Sequence, residues 1–354
     1  MSGPLTPAGE WSAQADGAGI PARGRAATAN EAPTAELAPA APSRGRSHAR
    51  RTGLLLAETG LIFLLLAAGS LALLWTLPPL AAWPAISVLA FAQGLWFDRM
   101  YTVAHEAVHR KLFPGRPLVN DLVGAALMLP LIAPFTVYRK IHGFHHGVNR
   151  RDPESAALDH FRVGKDAPRW QRARFRAVWV FYVFGGGFFL HSLATILIFL
   201  GLTRRRAERI SPVFRAWPMQ LRLRGWAELA LGVGLHVGVG LWLGAAAWLA
   251  VLGLPMLVFA WVWSLLLYIY HYRTTVGRDV RHNVRSLPRQ PFFSWLLLNF
   301  NEHATHHRDP NLPWYELPER RYQLPASHAG NDNVTTLAAA IWQQRHGPVL
   351  WSPE

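Results

Sequence analysis

Three histidines spaced i, i+3 and i+4 occur twice in this chain, as His142, His145 and His146 and as His303, His306 and His307. On a helix these positions share one face, so three imidazoles can converge on a point. His105 and His109 supply the i, i+4 half of the same pattern. The three boxes hold eight of the chain's 16 histidines. Neutral imidazole is a ligand for iron, zinc, copper and nickel. Eight rings are too many for one tetrahedral zinc and suit two metal ions that each keep an open position. Burying eight unpaired imidazoles would be costly, and coordination removes that cost.

Read alone, His105-Glu106-Ala107-Val108-His109 matches the zinc-protease helix motif, with Glu106 as general base. A protease of that kind needs one or two further ligands, whereas this chain offers six in two identically spaced triplets. Histidine ligation is neutral, so acidic partners are expected to hold the outer ring nitrogens. Glu106, Asp152, Glu154, Glu302 and Asp309 are the candidates. His160, His191, His236, His328 and His346 lie outside the boxes and read as ordinary polar residues.

The elements that must position the boxes are apolar. About half of the 354 residues are hydrophobic, and they come in long uncharged runs. The formal net charge is +15, nearly all from arginine, since lysine occurs only at positions 111, 140 and 165. Because the arginines flank apolar runs rather than forming a separate basic domain, the expected partners are anionic lipid or an acidic protein, not nucleic acid. Cysteine is absent, which excludes disulfides, thiolate metal sites and cysteine nucleophiles. A thiolate-free, nitrogen-rich dimetal site beside a bilayer suggests iron and oxygen chemistry.

Residues 1–52 are rich in Ala, Pro, Gly and Ser and read as a disordered tail. A membrane domain is expected over 53–325, and a loosely ordered or amphipathic end over 326–354. Residues 54–77 and 85–97 read as a first transmembrane hairpin, closed by Asp98-Arg99 unless the helix continues to the first box. Residues 227–251 and 254–270 read as a second, turning at Gly253 and Pro255. Neither link carries Lys or Arg, whereas the opposite flanks carry many, so both tails and all three boxes are expected in the cytoplasm. Two further apolar stretches, 118–137 and 177–201, are broken by Pro130 and Pro134 and by Gly185-Gly186-Gly187. They read as interfacial or re-entrant segments under the site. The expected fold is an all-α integral membrane protein, with four transmembrane helices in two hairpins, interfacial or re-entrant helices, and a cytoplasmic helical cap carrying the boxes. A metal-binding transporter would need ionisable residues near the bilayer midplane, and the four runs offer little beyond His236 and Glu58.

With boxes HxxxH, HxxHH and HxxHH set among these hairpins, the chain resembles the membrane fatty acid desaturase superfamily over roughly residues 54–325. The resemblance extends to Tyr138-Arg139-Lys140-Ile141-His142 with Arg151-Asp152-Pro153-Glu154, to residues 299–307, and to residues 310–318. It implies a non-haem di-iron site that uses O₂ as co-substrate to place a double bond in an acyl chain. The implied ligands are His105, His109, His142, His145, His146, His303, His306 and His307. One more histidine is implied near residues 270–286, where His271 is preferred by position and His282 is the alternative. The family also implies a membrane lipid or acyl-carrier substrate. Without a His-Pro-Gly-Gly haem motif, electrons would come from a separate ferredoxin-like or cytochrome-type donor. Ala304 and Thr305 depart from the third box of many members, which leaves open the substrate and a hydroxylase or ketolase acting on a carotenoid, sphingolipid or alkane. Trp261, Trp263 and Trp295 are candidates to line an acyl tunnel.

Overall fold

The computed structural model describes residues 42–153, 158–214 and 217–352. It is helical apart from one short ribbon. Helices α1 (Pro42–Thr76) and α2 (Pro79–Val108) are joined by the two-residue link Leu77-Pro78, and Pro79 opens α2 where a missing N–H costs nothing. α2 does not end at Asp98-Arg99 but runs on through His105. The expected tail reaches 52, whereas α1 already begins at Pro42; residues 1–41 lie outside the described residues.

Helix α3 (Pro117–Met128) and α4 (Phe135–Val148) meet at 104° across Pro130 and Pro134. Helix α5 (Arg169–Phe184) and α6 (Gly187–Gly201) meet at 92° across Gly185-Gly186. After the short α7 (Arg204–Ile210) come α8 (Met219–Leu243) and α9 (Ala245–Leu266). Four helices, α1, α2, α8 and α9, are each long and apolar enough to cross a membrane, or six spans if each bent pair counts as one. Their outward leucines and tryptophans, such as Leu241 and Trp242 (84% and 86% exposed), form the kind of surface that lipid covers.

The second turn is not at Gly253 and Pro255. The chain breaks at Gly244, whose φ of +90° is strained for any side chain, and α9 then runs through Gly253 in a π-helical turn (Leu249–Gly253). Pro255 has no N–H to give the Val251 carbonyl, and Gln93 Nε2 from α2 donates to that oxygen at 2.9 Å. The lysine- and arginine-free stretch between Arg224 and Arg273 still contains the turn.

Helix α9 lies against α2. A Cβ on Gly94 would stand 2.5 Å from Val258 Cβ and 2.9 Å from the Pro255 carbonyl, so the backbones approach as closely as they do only because residue 94 has no side chain. Around this contact Ile86, Phe97, Val103, Ala104, Ala107, Leu131, Phe135 and Ala250 are fully buried and form the main core. Two short helices follow, α10 (Pro291–Leu296) and α11 (His303–Arg308). The end of the chain is folded where it is described. Helix α12 (Leu337–Gln343) is capped by the Thr336 hydroxyl, and β2 (Val349–Trp351) pairs in parallel with β1 (His160–Arg162). Tyr272 and Trp179 donate to the carbonyls of Gly347 and Gln344, at 2.6 and 2.7 Å, and fasten this segment to the helices.

Candidate metal centre

The fold gathers nine histidines into two neighbouring groups. His105, His109, His142, His146 and His306 form one; His145, His271, His303 and His307 form the other. All nine histidines that the sequence offered as ligands fall in these two groups. The i, i+3, i+4 spacing divides its rings between the groups. On α4 the i, i+4 pair His142 and His146 faces the first group and His145 the second. On α11 the division reverses, with His303 and His307 in the second group and His306 in the first. The His146 and His307 rings stack at 4.3 Å across the boundary.

Nitrogen spacings test whether the groups suit a metal. His142 Nε2 lies 3.0 Å from His105 Nε2, 2.8 Å from His109 Nε2 and 3.0 Å from His146 Nε2. His146 Nε2 is 3.1 Å from His306 Nε2, and in the second group His271 Nε2 is 3.0 Å from His303 Nε2. A neutral ring nitrogen carries one proton or one lone pair, so His142 Nε2 cannot hydrogen-bond three neighbours at once. Nitrogens at right angles and about 2.1 Å from a shared cation would lie about 3.0 Å apart. The residues fit a metal ion. Burial pushes His271, His303, His306 and His307 well below the usual histidine range, which keeps their lone pairs free.

The boxes lie beside abrupt helix ends. Left-handed backbone occurs at Arg110 after the first box, Arg150 after the second, Arg273 after His271, and Leu298 and Asn299 before the third. Non-glycine residues hold such angles only where surrounding contacts over-determine them. Arg150 is one case. It is buried and donates to Asp159 Oδ1 at 2.6 Å, the Tyr268 hydroxyl at 2.7 Å and the Thr274 carbonyl at 2.9 Å. Asp159 Oδ2 in turn accepts from the Arg273 backbone N–H at 2.8 Å. This buried pair joins the end of α4 to the turn carrying His271. Asn149 and Asn283 add side-chain bonds across the same seam.

The first box is fastened to the segment after the third. Lys111 Nζ lies 2.8 Å from Glu106 and donates to the Leu312 carbonyl at 2.8 Å, while the Trp314 N–H donates to Glu106 at 3.1 Å. Glu106 is thus a structural anchor, unlike the general base of a zinc protease. Arg99, flanked by the Trp96 and Trp295 rings, pairs with Glu58 at 2.6 Å and bonds the Trp295 carbonyl. That joins α1 and α2 to the approach of the third box.

Among the described residues, the acidic residues do not hold the outer ring nitrogens as expected. Glu106 stands 3.7 Å from His105 Nδ1, too far for a hydrogen bond. Glu302 bonds Arg321 and Asn301, Asp309 accepts from Asn311, and Asp152 lies 3.1 Å from Arg151. Glu154 lies outside the described residues. Nδ1 of His105, His303 and His306 and Nε2 of His307 are buried without a hydrogen-bond partner among the described residues. His282 does not reach the clusters. It bonds Asp279 at 2.7 Å and Tyr322 at 3.0 Å in a separate, more exposed group with His328.

A cavity of about 360 Å³ reaches both groups, touching His105 and His142 of the first and His145, His271 and His303 of the second. Its walls are mainly apolar, from α2, α4, α6 and α9. Trp263 lines it, whereas Trp261 and Trp295 are 44% and 42% exposed and do not. Asp159 and Lys111 had no signal in the sequence: no motif marks their pairing with Arg150 and Glu106, and the Arg273 N–H and Leu312 carbonyl that complete the two clamps are remote. Asp98, inside α2 and on the cavity wall, reads in the sequence only as half of the Asp98-Arg99 pair that closes an apolar run.

Long apolar helices around two buried histidine groups define a helical, multi-pass membrane protein able to hold metal. The chain belongs to the fatty acid desaturase family, a family of oxidoreductases, whose model matches residues 79–331. Among curated proteins it is similar to an sn-1 oleoyl-lipid 12-desaturase of Picosynechococcus sp., with 30% identity over 106 residues. It is also similar to an sn-1 oleoyl-lipid 12-desaturase of Anabaena variabilis, with 35% identity over 83 residues. The aligned stretches cover 29% and 23% of this chain, and 30% and 23% of the respective relatives.

Proposed function

We propose that this protein is an acyl-lipid desaturase in which nine histidines hold two iron ions. His105, His109, His142, His146 and His306 would take one ion, and His145, His271, His303 and His307 the other. Iron held there would use O₂ and external electrons to remove two hydrogens from an unactivated CH₂–CH₂ pair. The chain's own task is to place that pair and keep water out. One observation carries the reading: a mainly apolar cavity touches members of both histidine groups. Aliphatic and aromatic walls suit a hydrocarbon chain, and the imidazoles mark where a reacting carbon would stop. The relatives are named as oleoyl-lipid desaturases, which favours desaturation over hydroxylation or ketolation and favours an acyl lipid as substrate.

In the bilayer, α1 with α2 and α8 with α9 form two hairpins, and the two bent pairs lie beneath the site without crossing. The link at Leu77-Pro78 and the turn at Gly244 carry no Lys or Arg, so both face away from the cytoplasm and the histidines face it. A separate acidic electron donor, ferredoxin-like or cytochrome-type, docks on the arginine-rich cytoplasmic side. The catalytic domain runs over residues 53–325.

Expression in a host without desaturases, followed by gas chromatography and mass spectrometry of its lipids, tests the reading. A new unsaturated acyl chain that requires O₂ is expected. A new hydroxyl or keto product with no new double bond would replace desaturation by hydroxylation or ketolation.

A further inference from the structure

Asp98 is a buried carboxyl that the metal centre does not use. It is 3% exposed, lies within α2, and lines the cavity. Its Oδ2 is buried without a hydrogen-bond partner, and no cation pairs with it among the described residues. The neighbouring Arg99 is committed to Glu58 and the Trp295 carbonyl. Asp98, Thr102 and His105 are spaced i, i+4, i+7 and all line the cavity, so they form one stripe along its wall. The Thr102 hydroxyl donates back to the Asp98 carbonyl at 2.8 Å and leaves its lone pairs free. A partnerless polar group on the wall of a mainly apolar cavity is expensive unless a ligand completes it.

We propose that Asp98 is a specificity residue that recognises a hydroxyl group on the substrate's hydrocarbon chain. This rests on the reading above that a lipid chain fills the cavity. A hydroxyl is the matching group because it can donate to a carboxylate and accept from a carboxylic acid. Seven residues of helix separate Asp98 from His105, about 10.5 Å. An extended chain with C–C bonds of about 1.5 Å advances roughly 1.3 Å per carbon. The hydroxyl therefore sits roughly eight carbons from the carbon presented to the histidines. The preferred lipid is a hydroxylated acyl chain rather than a plain one.

The test is equilibrium displacement of a radiolabelled plain acyl lipid from the purified full-length protein. Competitors are lipids carrying one chain hydroxyl at successive carbons. The readout is binding, independent of turnover. One positional isomer is expected to bind at least roughly tenfold more tightly than the plain chain, because a site with an unpaired polar group rejects the ligand that leaves it unpaired. Asp98→Asn, whose carboxamide still donates and accepts, keeps that preference. Asp98→Leu abolishes it, and a helical circular dichroism spectrum with a cooperative melt shows that the variant is folded. Equal affinity for plain and all hydroxylated chains in the unmodified protein overturns the proposal. So does a preference that survives Asp98→Leu. Failure of any lipid to bind overturns both this inference and the assignment of the cavity to lipid.

Discussion

Replacing Asp159 by Asn removes one charge from a pair with no access to solvent. Asp159 is fully buried and Arg150 is 2% exposed. The exchange keeps the side-chain volume, so no cavity opens. What changes is that the Arg150 guanidinium loses its counter-ion while still buried. Breaking one side of such a pair costs roughly 3–5 kcal/mol, a large share of a typical total of roughly 5–15 kcal/mol. The loss is local as well as global, because Asp159 holds both the end of α4, which carries His145, and the Arg273 backbone two residues after His271. Those two histidines belong to the same group, with rings 4.7 Å apart. Thermal unfolding in detergent and metal content should therefore fall together in Asp159→Asn. Arg150→Met with Asp159→Asn should recover part of the lost stability, since the buried charge is gone. An Asp159→Asn protein that melts with the wild type, or a double variant whose losses simply add, would refute the clamp.

The same carboxyl sets a pH dependence. Burial alone would raise the Asp159 pKa, but hydrogen bonding to His160 and the Arg150 charge outweigh it and hold the carboxyl below its usual range. Its contribution is full above the ordinary aspartate value of about 3.9 and is lost as pH falls through the lower folded value; acid titration of Asp159→Asn should lack that step. His109→Ala, His145→Ala and His303→Ala should each abolish product while the protein still inserts in the membrane, and His328→Ala should be nearly silent; turnover retained in any of the first three counts against the ligand set. Gly94→Val forces a side chain into Val258 and the Pro255 carbonyl, which should cost about 1–3 kcal/mol of stability; an unchanged melting temperature would show that α2 and α9 part without penalty.

The clustering of the boxed histidines was legible because it rests on local spacing. HxxHH fixes which rings share a helix face whatever surrounds them, and His271 came from the resemblance through its place near the end of an apolar run. The long apolar runs likewise announced α1, α2, α8 and α9. Turn positions were less legible. Gly253 and Pro255 look like a break, yet a π-turn and a carbonyl bonded by the distant Gln93 absorb the proline, while Gly244 made the turn without a proline beside it. Asp98-Arg99 closes the apolar run in the sequence, because two adjacent charges usually meet water, and leaves open whether the helix continues to the first box. Here Arg99 is paired across to Glu58 and enclosed by two tryptophans, and Asp98 faces the cavity. The outer partners of the histidines were misjudged for a related reason. Acidic residues close in sequence to the boxes are instead engaged by Lys111, Arg321 and Arg151, and nothing in the spacing of the boxes marks these pairings.

Metal content of the purified chain bears most directly on the two histidine groups. Protein produced with iron available, then assayed by inductively coupled plasma mass spectrometry against quantitative amino-acid analysis, should carry about two iron atoms per chain. His145→Ala and His109→Ala should each lower that value. A single zinc per chain, or iron content unmoved by either substitution, would contradict a centre in which both groups bind iron.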